Sequence, residues 1–461
     1  MKPAIYADQH FDSFLNDLKT LARIPSCSWA GFDPVHLETS ANEVASQMGK
    51  AGLEHIEILR LPGVHPYIYG DWLHAGSDKP TILLYAHHDV QPPMREELWK
   101  TPVYEPTVIG DRIYARGIAD DKAGVVLHLA SIASWLRTTG SLPVNVKVII
   151  EGEEEIGSAH LQDFLKAYRD RLAADVMVLA DVGNYDTGIP SMTVSLRGLV
   201  TLQVEVSSLD HPLHSGIYGG PVPDPVIALS KIIAGLVSED GTLAIPELIS
   251  KVRPLSQTER DMIGSLKMTP DLFREHAQVL EGVDVFGGGD EILEKLWRQP
   301  SLVVNSMVAG SRTSAGNVVL EKAWAKLGLR TVPDISREFA LEALKKRITE
   351  LAPWNVKISF IEEKRGNHWS TDIAHPYFDA ARRALKSGYG REAVYIGSGG
   401  SIPFAGPFSE ALGNIPALLT GIEDPYTNAH SENESLHLGD FRKAIISQVH
   451  LFDEISRLGR V

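Results

Sequence analysis

Apolar runs and helical repeats alternate through the first third of the chain. Thr81–Ala86 (TILLYA), Val144–Ile150 and Asp175–Ala180 (DVMVLA) are short and apolar-rich, as buried strands are. Between them, Ala123–Leu136 and Ala159–Leu172 carry apolar residues at the spacing of amphipathic helices. Strands separated by helices predict parallel βαβ units. Near Ser195 the rhythm changes. Leu199–Val206 alternates like a half-exposed strand. A stretch with Gly and Pro punctuation follows to about Gly366. Within it, Asn317–Val319, Ala323–Arg330 and Val356–Ile361 are predicted strands and Ser336–Leu351 a helix. From His375 the first rhythm resumes. Pro376–Lys386 reads as a helix, Ala393–Ile396 and Ile415–Leu419 as strands, and Leu438 to Leu458 as a closing amphipathic helix. The predicted fold is α/β: a mostly parallel sheet with helices on both faces, interrupted by an inserted α+β domain. The predicted boundaries are 1–196, 197–366 and 367–461, with the first and third segments forming one domain.

Composition narrows the function. The 461 residues are 44% apolar and 22% charged, an ordinary globular mix. Lys plus Arg total 44 and Asp plus Glu 59, so the formal charge is 44 − 59 = −15. No basic stripe is visible, which argues against nucleic acid as a partner. The single cysteine, Cys27, excludes an intrachain disulfide and fits a reducing compartment. It lies in a Pro-Ser-Cys-Ser turn with no histidine partner, so it is not read as a nucleophile. The N-terminus lacks the apolar core of a signal peptide, and no run approaches the ~20 apolar residues of a membrane span. A soluble cytoplasmic protein is expected.

The candidate chemistry falls at strand ends. His87 and Asp89 follow TILLYA, Glu154 and Glu155 follow the Val144 run, and Asp181 follows DVMVLA. His430 lies a loop beyond IPALLT, and Asp120 closes a predicted strand-and-turn, ARGIAD, before a helix. The carboxyl ends of parallel strands share one edge, where ligands bind. Each feature alone has an ordinary explanation; an Asp pair before a helix, for example, commonly caps it. Together, two imidazoles and several carboxylates make a donor set suited to zinc, manganese or cobalt rather than copper(I) or an iron–sulfur cluster. Two such ions need one shared carboxylate and further ligands on each side.

These residues carry a resemblance. Tyr-Ala-His87-His88-Asp89-Val-Gln-Pro, Arg116-Gly-Ile-Ala-Asp120-Asp121-Lys122 and Glu151-Gly-Glu-Glu154-Glu155-Ile-Gly-Ser resemble the motifs of the dinuclear-zinc metallopeptidases. That group includes carnosinase, cytosolic non-specific dipeptidase, acetylornithine deacetylase and succinyl-diaminopimelate desuccinylase. His214-Ser-Gly-Ile-Tyr-Gly-Gly and His430-Ser-Glu-Asn-Glu complete the match, which runs from about Phe11 to Ile455 and points to the dipeptidase branch. The resemblance implies a phosphorylase/hydrolase-like catalytic domain holding two divalent ions. His87 and Asp181 would bind one ion, Glu155 and His430 the other, and Asp120 would bridge them. Asp89 would orient the His87 ring. Glu154 would be general base to a water between the ions and then acid to the leaving amine. Glu153 is a third consecutive acid and leaves open a Glu153/Glu154 register; the following Ile-Gly-Ser favours Glu154/Glu155.

The resemblance further implies that the inserted block is a lid forming a homodimer interface. His214 would steady the oxyanion in the partner's site. Arg330 and the Gly399-Gly400-Ser401 loop would hold a substrate carboxylate, with Asn317 a further substrate contact. His211, His368 and His375 read as surface or structural. The expected activity is hydrolysis of dipeptides or short peptides with a free C-terminal carboxylate. An N-acyl-amino-acid deacylase with the same centre is the alternative, and a non-catalytic metal-stabilised scaffold is a third reading.

Overall fold

The structure, a computed structural model, describes residues 1–313, 315–333, 335–363, 368–400 and 405–461. The chain forms two compact units: the described residues of Met1–Val194, Thr371–Ile396 and Pro403–Val461, and those of Ser195–Ser370 and Gly397–Ile402. Ser401 and the expected boundary between 366 and 367 lie outside the described residues.

The first unit is built on a mixed sheet. Its order is Glu54–Leu59, Tyr67–Trp72, Asn145–Glu151, Thr81–His87, Val176–Gly183, Ala417–Glu423, Ser191–Leu196. The four central strands, from Asn145–Glu151 to Ala417–Glu423, are mutually parallel. The flanking strands join them antiparallel. Ile82, Leu84 and Ala86 face one way, into a core shared with helices Lys122–Thr139, Pro376–Tyr389 and Leu438–Leu458. On the other face Tyr67 stacks on Phe164 of helix Leu161–Leu172, and Tyr85 meets Phe408 of helix Ala405–Ala411 edge-on. Both faces are thus covered, which explains why the central strands read as unbroken apolar runs. Helix Lys122–Thr139 is buried on nearly every side, starts at an Asp121 cap and stops at left-handed Gly140.

The sequence pattern missed everything before Thr81. Helices Pro3–Gln9, Phe11–Ala22 and Val35–Ala51 and the first two strands occupy that region. Tyr67–Trp72 is fully buried yet carries Gly70 and Asp71, so it does not read as an apolar run. The strand-and-turn expected at ARGIAD is also corrected. The strand is Arg112–Tyr114, and residues 116–121 form a turn. The reason is that the N–H groups of Gly117, Ala119 and Asp120 donate to the Glu434 carboxylate instead of a neighbouring strand. Gly117 is required there: its φ is +73°, and a Cβ would sit 2.2 Å from the Val90 side chain.

The second unit carries a four-stranded antiparallel sheet, ordered Ser301–Val308, Lys322–Thr331, Gly198–Ser207, Lys357–Glu363. Val200, Leu202, Val204 and Val206 alternate into a core with helices Pro225–Ala234 and Arg337–Leu351. Ser301–Val308, absent from the sequence reading, is an edge strand on which Val303, Val304, Met307 and Val308 are exposed. No helix among the described residues is long and apolar enough to cross a membrane.

Candidate metal centre

The parallel strands of the first unit bring distant donors to one edge. His87 is the last residue of its strand, Asp181 lies near the end of the next, and Glu155 sits in the turn after Asn145–Glu151. Asp120 comes from the turn before helix Lys122–Thr139, and His430 from the loop after Ala417–Glu423. Asp121 does what an Asp before a helix does: its carboxylate accepts from Gly124 N–H and also from His87 N–H. Asp120, its neighbour across a cis peptide bond, turns its carboxylate to His87 and His430.

Two donor groups result, His87–Asp120–Asp181 and Asp120–Glu155–His430, with the ligand atoms of each within 4.8 Å of one another. Asp120 belongs to both and divides its oxygens. Oδ1 lies 3.1 Å from His87 Nε2, and Oδ2 lies 3.0 Å from His430 Nε2. His87 Nε2 is 3.6 Å from Asp181 Oδ1, and His430 Nε2 is 3.2 Å from Glu155 Oε2. Two imidazoles and three carboxylates, one of them shared, fit a pair of divalent cations.

Electrostatics point the same way. Burial lowers the proton affinity of His87, but Asp181, Asp120 and Asp89 outweigh it and hold the ring well above its usual range. Burial raises Glu155 to about 7, and Asp120 adds to the rise. Glu154 is pushed well above the usual carboxylate range by burial, with Asp181, Glu155 and Asp120 reinforcing and His87 opposing. Acids that hold protons beside rings that attract them describe a site short of positive charge.

The supporting contacts are dense. Nδ1 of His87 lies 3.1 Å from the Asp89 backbone carbonyl and 3.4 Å from its carboxylate. The ring is therefore held mainly by the Asp89 main chain. The Asp89 carboxylate accepts from Ser28 Oγ (2.7 Å) and from the N–H groups of Glu154 (3.3 Å) and Glu155 (3.0 Å). It ties the first motif to the third. Gln91 Nε2 donates to Glu155 Oε2 at 2.6 Å. Glu153 is sequestered: it accepts from Tyr67 Oη and from His160 N and Nδ1. Burial pushes the Cys27 thiol up to about 11, leaving it protonated at neutral pH.

Sequence reasoning missed Gln91, Ser28, Arg116 and Glu434. Arg116 and Glu434 stood inside quoted motifs, and only folding reveals that they pair at 2.8 Å. In the second unit, His214 and Asn317 come together on a short ribbon in which Leu213 faces Val319 and His214 faces Val318. His214 Nδ1 accepts from Gly216 N–H, and the Asn317 carbonyl accepts from Ser215. Arg330 is near the end of its strand, opposite Ser301 and Leu199. Arg197, another residue the sequence reading passed over, donates to Gly399 O, Gln299 O and Ser301 Oγ, and its N–H donates to Gly400 O. Burial pulls the Arg197 guanidinium down to about 10, and the Arg330 charge adds to the effect. His375 caps helix Pro376–Tyr389.

Residues 83–454 match peptidase family M20/M25/M40. The chain is similar to the cysteinylglycine-S-conjugate dipeptidase of Corynebacterium striatum, 31% identical over 375 residues, 81% of this chain and 80% of that protein. It is 28% identical to the human Beta-Ala-His dipeptidase over 98% of this chain and 92% of that protein. The solved structure of the di-peptidase Dug1p from Saccharomyces cerevisiae is similar with a TM-score of 0.86 and 26% identity, over 99% of each chain.

Proposed function

The chain belongs to peptidase family M20/M25/M40, a metallopeptidase acting on peptide bonds, and from that premise we propose that it is a dipeptidase. Its substrates would be dipeptides or short peptides with a free C-terminal carboxylate. Relatives that carry dipeptidase names support this over the N-acyl-amino-acid deacylase alternative. The observation that carries the proposal is the division of Asp120 between two donor groups, with Glu154 beside them and in neither.

We assign His87 and Asp181 to one divalent ion, Glu155 and His430 to the other, and Asp120 to both. Zinc suits the donors best, with manganese or cobalt as alternatives. When bound, the ions polarise the scissile carbonyl and make a water acidic near neutral pH. Glu154 takes that proton and returns it to the leaving amine. Its backbone N–H donates to Asp89 at 3.3 Å, which anchors the turn that carries it. Arg330 and the Gly400 loop are assigned to the substrate carboxylate, with the guanidinium as a fork; the Gly400 N–H itself donates to Ser398 Oγ at 3.1 Å. Asn317 and His214 are assigned to the substrate and the oxyanion. Ser401 belongs to the same proposed pocket by sequence.

A homodimer through the second unit is part of the proposal. It is supported by the exposed edge strand Ser301–Val308, whose outer backbone edge pairs with no strand among the described residues and whose apolar side chains suit a second copy. The cytoplasm is the proposed location, supported by the single thiol.

The test is turnover of metal-loaded enzyme on matched dipeptides and N-acyl amino acids, for wild type and Glu154→Gln. Dipeptides should be cleaved, and the variant should lose ~10²–10⁴-fold in kcat with metal content unchanged. Turnover confined to N-acyl amino acids, or an active Gln variant, would overturn the assignment.

A further inference from the structure

A dipeptidase must recognise a free α-ammonium group, and an ammonium buried near cations needs a carboxylate of its own. Most acids at this sheet edge are already satisfied. Asp89 accepts from Ser28 and two backbone N–H groups. Glu434 accepts from Arg116 and three N–H groups. Glu151 accepts from Tyr67 and Tyr85, and Glu153 from Tyr67 and His160. Asp424 receives the Arg112 fork at 2.8 Å on each oxygen, and Asp121 holds His87 and Gly124. Apart from the proposed ion ligands, the acids at this edge that receive no donor among the described residues are Glu154, assigned to proton transfer, and Glu423.

Glu423 ends the strand Ala417–Glu423 and pairs in register with Gly183, two residues beyond Asp181. Its carbonyl accepts from Asn184 N–H at 2.8 Å, so the backbone is anchored. The side chain is half-buried and feels the charges of Asp120, Asp181, Glu434 and His430. Among the described residues no hydrogen-bond donor reaches its carboxylate. A carboxylate in such surroundings without a donor is costly unless a ligand supplies one. The ligand must be cationic, must donate hydrogen bonds, and must arrive beside the reacting centre.

We propose that Glu423 is the substrate-binding residue that receives the α-ammonium of the dipeptide. The inference rests on the dipeptidase reading and deepens it: Glu423 would separate peptides from N-acyl amino acids. A primary ammonium offers three donors to an acid that has spare acceptors and is assigned neither to an ion nor to proton transfer. A substrate lacking the amine leaves the carboxylate unsatisfied, a strong means of rejection.

The experiment compares an alanyl dipeptide with its propionyl counterpart, which differs only by the missing amine. Both are measured as substrates, or as competitive inhibitors where turnover is absent, in wild type, Glu423→Gln and Glu423→Asp. Wild type should prefer the alanyl compound. Glu423→Gln should cut that preference about 10- to 100-fold, chiefly through KM, with metal content retained, and Glu423→Asp should keep part of it. A wild type inert to alanyl dipeptides would refute the dipeptidase reading itself. A wild type that prefers them, with the preference intact in Glu423→Gln, would overturn the role of Glu423 alone. If the Gln variant does not fold, Glu423→Ala takes its place: its preference must vanish where that of Asp persists, and equal preferences in the two refute the assignment.

Discussion

Glu434→Gln is the most exacting test of how the centre is held together. The Glu434 carboxylate is fully buried and faces Arg116, whose side chain is 1% exposed. One oxygen accepts from Arg116 Nη1 (2.8 Å) and Gly117 N (2.9 Å), and the other from Ala119 N (3.0 Å) and Asp120 N (3.2 Å). Glutamine has nearly the same shape but only one oxygen. Whichever way its amide is turned, an NH₂ faces two donors and two hydrogen bonds are lost. The guanidinium is left buried without its counter-charge, and breaking one side of such a pair costs about 3–5 kcal/mol. Denaturation in urea, followed by tryptophan fluorescence, should show a loss of that size for the variant. In an Arg116→Met background the same substitution should cost at least ~1 kcal/mol less, because the unpaired charge is gone. Metal affinity should fall too, since Asp120 is carried by the loop that Glu434 clamps. A loss under ~1 kcal/mol, or equal losses in the two backgrounds, would refute the reasoning.

Acid stability should depend on His128. Its ring is buried, donating from Nε2 to Tyr85 O at 2.8 Å and accepting at Nδ1 from Gln448 Nε2 at 2.8 Å, and burial pulls its pKa down to about 4. The unfolded chain binds the proton first, near pH 6.5, so stability is lost as pH falls from 6.5 toward 4, by up to ~3 kcal/mol. The urea midpoint should fall less between pH 7.5 and 4.5 in His128→Gln than in wild type, and an equal acid loss in both proteins would contradict the burial argument. The proposed dimer rests on the exposed edge of the second unit. Val303→Lys with Val308→Lys places charge on two positions that are 52% and 53% exposed in the single chain and should yield a monomer in sedimentation equilibrium, whereas a wild-type monomer, or an unaffected dimer, would remove that interface.

Much of the first unit could be read directly, and the reasons are local. TILLYA and DVMVLA are buried on both faces, so burial left an unbroken apolar signature in the sequence. The closing helix Leu438–Leu458 has an amphipathic repeat. Glu54–Leu59 and Tyr67–Trp72 lacked such a signature because one is half-exposed and the other buries polar atoms in pairs. Asp71, for instance, accepts from Tyr69 Oη and His55 Nδ1. Ser301–Val308 escaped notice because its apolar residues face outward, against the pattern of a strand packed on one side.

The sequence alone determined which residue types were available and where each stood relative to a strand end, because apolar periodicity and turn chemistry act over a few residues. It could name His87, Asp120, Glu155, Asp181 and His430 as candidates. Only the tertiary structure decided that Asp120 turns one oxygen toward each imidazole while Asp121 caps a helix, that Glu153 is locked away by Tyr67 and His160, and that the Glu423 carboxylate receives no hydrogen-bond donor among the described residues. Hydrogen bonds and charges are settled within a few ångströms in space, and chain segments more than 300 residues apart, such as Asp120 and Glu434, meet only after folding.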